Sequence, residues 1–235
     1  MRDGEYLLVA VAIVALAAMA AAKPDTDTRP LFVKPEPKPE PVKPVEPVEP
    51  VEPLGHVVLD LDQTLVHSVH INSRPTKTTL SLTSHVFRDG DMRVYERPEL
   101  QEFLDALFAN CIVSVFTAGT TDYGNYVLHT VVLQGRPERI ERFGDFMARP
   151  EYKDSVSRYG IPKDLRMFFD KHPSWALPHN TVLLDDLPEN GRGPGGGLAI
   201  RAEPWFVDTQ FAEHDTFLRR IFPHLMASVY NGFPR

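Results

Sequence analysis

Residues 56–68, HVVLDLDQTLVHS, decide the fold that we expect for this chain. A short apolar run ends there in two carboxylates, Asp60 and Asp62, which the hydroxyl of Thr64 follows. A continuous apolar run of this length is typical of a strand that is buried on both faces of a parallel sheet. Because residues i and i+2 of an extended segment face the same way, the two carboxylates are expected to point together.

Two more segments repeat this pattern further along the chain. Residues 111–116, CIVSVF, precede Thr117, and residues 181–184, TVLL, precede Asp185 and Asp186. Strands that alternate with helices predict an α/β fold with a Rossmann-like parallel sheet. We predict helices over residues 98–107, 120–133, 162–169 and 209–229, and a fourth strand over residues 198–200.

The carboxylates that end these strands predict a metal site. In an open α/β sheet, ligands bind outside the carboxyl ends of the strands, so four carboxylates and the hydroxyl of Thr117 are expected to converge. Carboxylates a few ångströms apart repel by roughly 4 kcal/mol per pair at an effective dielectric of 20. Mg²⁺ prefers oxygen ligands and would relieve this repulsion. The four carboxylates are Asp60, Asp62, Asp185 and Asp186.

A small β-hairpin is predicted between the first strand and the first helix. Residues 78–86 and 92–95 have strand character and flank the sequence Arg-Asp-Gly-Asp, which is a turn signal. We expect this hairpin to form a flap over the carboxyl edge of the sheet. Its apolar residues either belong to the core or line a groove; they are Leu80, Leu82 and Val86.

Residues 1–22 and 23–54 are interpreted as a membrane anchor and a linker before a folded domain over residues 55–235. Residues 6–22 carry no charge, and their 17 positions lie at the short end of the roughly 17–25 that span a bilayer. A cleaved signal peptide is the alternative interpretation. Basic residues lie mostly on the carboxyl-terminal side of the apolar run, which predicts a single-pass protein with a cytoplasmic domain.

The linker is dominated by proline, with ten prolines in its 32 residues. This density excludes helix and sheet, and the Val-Glu-Pro repeat matches the three-residue turn of polyproline II. The favoured interpretation is a semi-rigid spacer. The overlapping P-x-x-P pattern over residues 35–53 leaves open a second one, a ligand for a proline-binding module.

Charge and cysteine content exclude several classes of protein. The single cysteine rules out an internal disulfide and a thiolate zinc site. The formal net charge of -7 argues against direct nucleic-acid binding, which requires a basic face.

Six segments, in order, resemble one family. They are similar to motifs of the haloacid dehalogenase superfamily, in the form found in the RNA polymerase II carboxy-terminal-domain phosphatases and the Dullard-like (NLI-interacting-factor-like) phosphatases. The resemblance implies a parallel sheet of the haloacid dehalogenase type. The segments are HVVLDLDQTLVHS, RVYERPELQEFL, VSVFTAGTTDY, EYKDSVSRYG, TVLLDDLP and AEPWF, and they extend over about residues 56–225.

The resemblance implies catalytic roles for the first motif. Asp60 would be the nucleophile that forms an aspartyl-phosphate. Asp62 would be the general acid and base, and its backbone carbonyl would also bind Mg²⁺. Thr64 would support the loop that carries them.

The later motifs would supply phosphate and metal ligands. Thr117 and Lys153 would bind the phosphoryl oxygens, and Asp186 would complete the metal site with Asp185 beside it. Lys153 lies one residue further from the glycine that follows it than the family spacing predicts. Lys163 is therefore a rival for the phosphate-binding role, although Lys153 is preferred.

Three functions remain open from the sequence. The preferred one is a membrane-tethered, Mg²⁺-dependent protein serine/threonine phosphatase that acts on a phosphoprotein. The second is a catalytically silent, peptide-binding relative, which the intact Asp60 and Asp62 argue against. The third is a small-molecule phosphatase, which the absence of room for a large cap domain argues against.

Overall fold

The computed structural model describes residues 55–73, 81–87, 91–191 and 197–231. The predicted anchor and linker, residues 1–22 and 23–54, lie outside these ranges. Within the described ranges, no helix combines the length and hydropathy that crossing a membrane would need.

The described residues form eight strands and six α-helices. A π-helical turn, Leu128–Leu133, follows the second helix directly, and a 3₁₀ turn, Ala212–His214, precedes the last one. The strands are β1 (His56–Leu59), β2 (Val66–His70), β3 (Ser84–Phe87), β4 (Met92–Glu96), β5 (Ile112–Phe116), β6 (Phe143–Met147), β7 (Thr181–Asp185) and β8 (Leu198–Arg201). The helices are α1 (Leu100–Asn110), α2 (Thr121–Val127), α3 (Pro137–Glu141), α4 (Arg149–Tyr159), α5 (Arg166–Lys171) and α6 (Phe217–Asn231).

The main sheet confirms the predicted α/β fold. Its five strands are parallel and lie in the order β6-β5-β1-β7-β8, so β1 is central. Val57 and Leu59 pack with side chains of α1, α2 and α6 on one face, whereas Val58 packs with α5 on the other. Since both faces are covered, every residue of β1 is buried, as its apolar run predicts. The carboxyl ends of β1, β5 and β7 are thereby aligned at one edge.

The predicted hairpin is part of a three-stranded antiparallel sheet in the order β2-β4-β3. β3 begins at Ser84, six residues later than predicted, and β2 was not predicted at all. The half-exposed pattern of β2 explains this, because its sequence VHSVH lacks a continuous apolar run. Leu82 packs against Tyr95 and Trp205, while Val86 is exposed. Leu80 lies outside the described residues.

Two helix starts differ from the prediction, and the same physical cause applies to both. The segment after Pro162 is a loop, and α5 begins only at Arg166, whose N–H donates to the carboxylate of Asp164 at 2.9 Å. The last helix begins at Phe217, whose N–H donates to the carboxylate of Asp215 at 2.9 Å. In both places an aspartate satisfies the first unpaired N–H groups of the helix and fixes where it begins.

Besides β2, three further elements were missed: α3, β6 and α4. β6 is short and only its last residue is fully buried, so it lacks the apolar run of a central strand. α4 is a surface helix whose buried face contains Ser155 rather than an apolar stripe. Neither element produces the periodicity on which a prediction from sequence depends.

Arg97 connects three distant segments of the chain. Its side chain is fully buried, and Nε and Nη2 donate to the two carboxylate oxygens of Asp215 at 2.9 and 3.0 Å. Nη1 donates to the backbone oxygens of Thr64 at 3.0 Å and Glu203 at 2.9 Å. The guanidinium therefore fixes the loop after β1 relative to the start of α6.

We expect Arg97→Met to destabilise the protein by about 3 kcal/mol, because it leaves Asp215 and two carbonyl groups without their donor. Chemical denaturation measures the change in the free energy of unfolding. Arg219→Met is the matched control, since Arg219 is 68% exposed and pairs only at the surface with Glu99. It should change stability by no more than about 0.5 kcal/mol. Equal effects of the two substitutions would contradict the structural role of Arg97.

Candidate active site

The loop after β1, residues 60–65, carries the first group of candidate residues. The N–H of Asp60 donates to the carbonyl of Leu184 at 3.0 Å, so the residue still lies within the sheet edge and is 4% exposed. Gln63 has a left-handed backbone, φ 60°, which turns the chain back toward the sheet. Thr64 Oγ1 donates to Asp60 Oδ2 at 3.1 Å.

Lys163 is the lysine at the centre of the site. Its ammonium donates to Asp60 Oδ1, and to Asp185 Oδ2 at 2.7 Å, and its side chain is 2% exposed. The residue lies in the loop between α4 and α5 with a left-handed backbone, φ 49°. For a non-glycine residue this conformation is uncommon, and such residues concentrate at functional sites.

The structure thus brings Lys163, the rival, into contact with Asp60, and it does not bring the preferred Lys153 there. Lys153 is on α4, where its side chain is exposed and lines a surface depression with Thr120 and Arg149. Because the sequence predicted a helix from Pro162 onward, it did not indicate that Lys163 points into the site. A helical Lys163 would point along a helix face, whereas the loop directs it inward.

Three carboxylates form a cluster that fits a divalent cation. One oxygen each of Asp60, Asp185 and Asp186 lies within 4.8 Å of the others, and all three residues are buried. Carboxylate oxygens are the ligands that Mg²⁺ prefers, so this donor set suits it. Asp185, which was expected only to lie beside the metal site, is a member of the cluster. The carboxylate of Asp62 is not, although the expected ligand from that residue was its backbone carbonyl.

Asn190 was missed by the sequence analysis. It orients Asp185, one of the three carboxylates of the cluster. Its Nδ2 donates to Asp185 Oδ1 at 2.8 Å, an oxygen that also accepts the N–H of Leu187 at 2.9 Å. Both oxygens of Asp185 are thus engaged, since Lys163 donates to the other. Asn190 lies in a polar loop after the motif, where no sequence signal distinguishes it.

Asp62 has a partner of its own. Tyr123 Oη donates to Asp62 Oδ1 at 2.5 Å, and it also lies 2.5 Å from Ser68 Oγ. Tyr123 belongs to the VSVFTAGTTDY segment, yet nothing in its spacing predicted this contact. This hydrogen bond orients the carboxylate of Asp62.

Thr117 lies at the carboxyl end of β5, one strand away from Asp60. It is buried, its N–H donates to the carbonyl of Met147 at 2.9 Å, and its Oγ1 accepts the N–H of Gly119 at 2.9 Å. Because the hydroxyl oxygen of Thr117 accepts in this contact, its proton can still be donated to a ligand at the sheet edge. The structure thus places Thr117 at the edge predicted for it, next to the loop that Gly119 begins.

Burial controls the protonation of the site. It raises the pKa of the Asp60 carboxyl to about 7, although the ammonium of Lys163 opposes this, and Asp185 acts in the same direction as burial. Burial also raises the pKa of Asp62, against the hydrogen bond from Tyr123. For Lys163 burial lowers the pKa, but the two carboxylates outweigh it, so the pKa is raised and the lysine stays charged.

A depression of about 340 Å³ leads from the surface to Asp62. Phe87 and Met92 of the small sheet line it, so the predicted flap does reach the site. Tyr123 and Arg149 line it as well, and the ring of Tyr123 packs edge-on against that of Phe87. The complete lining is Asp62, Ser68, Phe87, Met92, Gly119, Thr120, Tyr123 and Arg149.

Comparison with known proteins identifies the family. The sequence model of the NLI interacting factor-like phosphatases matches residues 55–232. The chain belongs to this family. The resemblance drawn from the six segments is confirmed, and so is the predicted enzyme class, because NLI interacting factor-like phosphatases are phosphoric monoester hydrolases.

Individual relatives of this NLI interacting factor-like phosphatase come from a virus and a yeast. The putative CTD phosphatase-like protein 355R of Invertebrate iridescent virus 3 is 31% identical over 179 residues, which are 70% of this chain and 91% of the relative. Phosphatase PSR1 of Saccharomyces cerevisiae is 29% identical over 153 residues, which are 56% of this chain and 34% of PSR1.

Solved structures of a larger phosphatase also align with the chain. A beryllium fluoride-bound variant of the fission yeast RNA polymerase II CTD phosphatase Fcp1 gives a TM-score of 0.44 at 16% identity over 74% of this chain. A second Fcp1 structure gives a TM-score of 0.41 at 18% identity. This chain spans about half the length of each, 50% and 48%.

Proposed function

We propose that the chain is a Mg²⁺-dependent protein serine/threonine phosphatase that acts through an aspartyl-phosphate on Asp60. One observation carries this proposal. Asp60 is buried at the end of the central strand, contacts the ammonium of Lys163, and lies within 4.8 Å of two further carboxylates. A carboxylate in that setting is desolvated, oriented and charge-compensated, which a nucleophile for phosphorus requires.

In the first step, a carboxylate oxygen of Asp60 forms a bond to phosphorus while the bond from phosphorus to the serine or threonine oxygen breaks. Asp62, whose pKa burial raises, gives its proton to that leaving oxygen. In the second step, Asp62 takes a proton from water, and the water oxygen attacks phosphorus. Inorganic phosphate leaves, and the Asp60 carboxylate is restored.

Charge in these steps is offset by groups of the chain and by a cation. Lys163, rather than Lys153, holds a phosphoryl oxygen and keeps Asp60 oriented, and the Thr117 hydroxyl donates to a second oxygen. When bound beside Asp60, Asp185 and Asp186, Mg²⁺ would supply positive charge to the phosphoryl group and relieve the repulsion between the carboxylates.

A protein substrate is favoured over a small metabolite by the open depression at Asp62. Its walls carry apolar side chains from the flap, Phe87 and Met92, beside the polar groups of the site. An extended peptide can lie along such a depression, since it offers apolar and polar contacts outside the phosphoryl pocket.

The test is hydrolysis of an aryl phosphate and of phosphoserine, phosphothreonine and phosphotyrosine peptides by the full chain, with Mg²⁺ and with excess chelator. We expect Mg²⁺-dependent release of phosphate and a higher kcat/KM for the serine or threonine peptides. Turnover of the aryl phosphate without any preference for peptides would favour a small-molecule phosphatase. No turnover by the folded, Mg²⁺-supplied protein would favour the silent peptide-binding alternative.

The affinity for Mg²⁺ is expected to depend on pH through Asp60. Below about pH 7 the Asp60 carboxyl carries a proton that the cation must displace, so the dissociation constant should rise by up to about tenfold for each pH unit below 7. Calorimetric titration from pH 5.5 to 8.5 measures this. An affinity that stays constant between pH 7 and 5.5 would contradict the raised pKa.

Removing the hydroxyl of Tyr123 is expected to move the pH profile of turnover. The hydrogen bond from Tyr123 lowers the pKa of Asp62, so Tyr123→Phe should raise that pKa. The limb of the pH profile of kcat that reports the ionisation of Asp62 should then shift toward higher pH. At neutral pH we expect kcat to fall by about two- to tenfold. Tyr126→Phe is the control, because Tyr126 Oη donates to the carbonyl of Val86 instead. A profile that Tyr123→Phe leaves in place would show that this contact does not tune Asp62.

We also propose that residues 6–22 anchor the phosphatase domain to a membrane on the cytoplasmic side, with residues 23–54 as the spacer. The uncharged run and the proline density support this. Fractionation of cells that express the full chain tests it: recovery of the uncleaved chain in the soluble fraction would contradict the anchor. Binding of a proline-recognition domain to a peptide of residues 35–53 tests the second role of the linker.

A further inference from the structure

A second depression continues from the one at Asp62. It has a volume of about 410 Å³, and the two depressions share Thr120 and Arg149 in their walls. A ligand that extends from Asp62 past Arg149 therefore enters the second depression directly. Its complete lining is Thr120, Thr121, Arg149, Pro150 and Lys153.

The second depression carries two cations on one helix face. Arg149 begins α4 and Lys153 lies four residues later, so their Cβ atoms are about 5–6 Å apart on the same side of the helix. Arg149 is held in place by two contacts, from its N–H to the carbonyl of Gly119 at 2.9 Å and from Nε to the carbonyl of Ala118 at 3.1 Å. The residue is exposed, and neither of these contacts uses its two terminal amino groups.

Neither cation is neutralised within the part of the chain that the structure describes. The nearest carboxylates along α4 have other partners: Glu151 accepts the N–H of Ala148 at 2.9 Å, and Asp154 pairs with Arg158 at 3.5 Å. No carboxylate of the described residues forms an ion pair with Arg149 or Lys153. Arg149 and Lys153 are thus two positive charges that are unpaired within the described ranges, in a chain whose formal net charge is -7.

We propose that Arg149 and Lys153 form an accessory subsite for a second anionic side chain of the peptide substrate. The inference rests on the proposed function, because the first anionic group is the phosphoserine or phosphothreonine at Asp60. An extended peptide advances about 3.3 Å per residue, so a second anion two to four residues from the phosphorylated one lies roughly 7–13 Å away along the peptide, and the experiment scans this range. The subsite accepts a carboxylate or a second phosphate, since two adjacent cations match either.

The experiment compares peptides of one neutral sequence with a fixed phosphoserine. Glutamate or a second phosphoserine is placed, one at a time, two to four residues before or after it. With the full chain, we expect at least one position to raise kcat/KM by about three- to tenfold at low salt, and more for phosphate than for glutamate. The gain should shrink at 0.5 M salt, because both cations are exposed.

Lys153→Gln is the variant that separates this subsite from the catalytic site. It should remove most of the gain while leaving turnover of the aryl phosphate and of the neutral peptide unchanged. Arg158→Gln is the matched control, because Arg158 is an exposed cation of the same helix that pairs with Asp154 and Asp170. That variant should keep the full gain.

Two results would overturn the subsite while leaving the proposed function standing. One is turnover of the neutral peptide with no gain from a second anion at any position. The other is a gain that survives in Lys153→Gln. If no substrate is turned over, the proposed function fails, and peptide affinity measured by fluorescence anisotropy then decides the subsite. Equal affinities for the neutral and doubly anionic peptides would overturn it.

Discussion

Asp60→Asn is expected to lower kcat for aryl phosphate and phosphopeptide hydrolysis by more than about 10⁴-fold. The amide is nearly isosteric with the carboxylate but cannot form the aspartyl-phosphate, so the chemistry is lost and the shape of the site is kept. Steady-state kinetics at saturating Mg²⁺ measure the effect. Thermal unfolding should show equal or higher stability, because the substitution removes a buried carboxyl that burial and Asp185 disfavour in its charged form.

Asp170→Asn provides the control for this substitution. Asp170 lies on α5, its side chain is 56% exposed, and it pairs with Arg158 at the surface. It should retain the turnover of the unaltered protein. Turnover by Asp60→Asn at the level of this control would overturn the assignment of Asp60 as the nucleophile.

Lys163→Met is expected to damage both catalysis and folding. Loss of the ammonium should lower kcat by about 10²- to 10³-fold, because the phosphoryl oxygens lose a preorganised donor. It should also lower the free energy of unfolding by about 3–5 kcal/mol at pH 8, since Asp60 and Asp185 are left buried without their cation. Burial already raises the pKa of Asp60, and Lys163 opposes this, so without the ammonium Asp60 holds its proton still more tightly in the folded state, and the loss should shrink as the pH falls.

Lys153→Met is the matched control, with the same chemical change on the exposed surface of α4. It should leave unfolding within about 0.5 kcal/mol and leave aryl phosphate turnover unchanged. Denaturant unfolding at pH 6 and pH 8 and initial rates measure both proteins. The opposite ranking, with Lys153→Met inactive and Lys163→Met active, would return the phosphate-binding role to Lys153.

The strands that carry the site could be predicted because their burial is visible in their composition. β1, β5 and β7 are continuous apolar runs, and the polar residues that end them lie at one edge of a parallel sheet. The carboxylate cluster follows from that topology alone. β2, β6 and α4 could not be predicted, since each is partly exposed and lacks an apolar period.

The lysine of the site could not be assigned because backbone conformation, not residue pattern, decides it. Pro162 is a common first residue of a helix, so the sequence predicted a helix through Lys163. The left-handed φ of Lys163 and the bond from Arg166 N–H to Asp164 replace that helix start with an inward turn. Tyr123 could not be predicted because its partner, Asp62, is 61 residues away in the sequence. Asn190 contacts Asp185 five residues before it, but it lies in a polar loop whose sequence does not distinguish it.

The contacts of Arg97 couple the start of the last helix to the loop that carries Asp60 and Asp62. The guanidinium that supports the Thr64 carbonyl is itself oriented by Asp215, just before α6. Any event that detaches α6, such as a proteolytic cut ahead of it, removes that orientation together with one cover of the sheet. Enzyme activity would then be lost, and a shortened version of this domain that omits residue 215 would be a poor source of active protein.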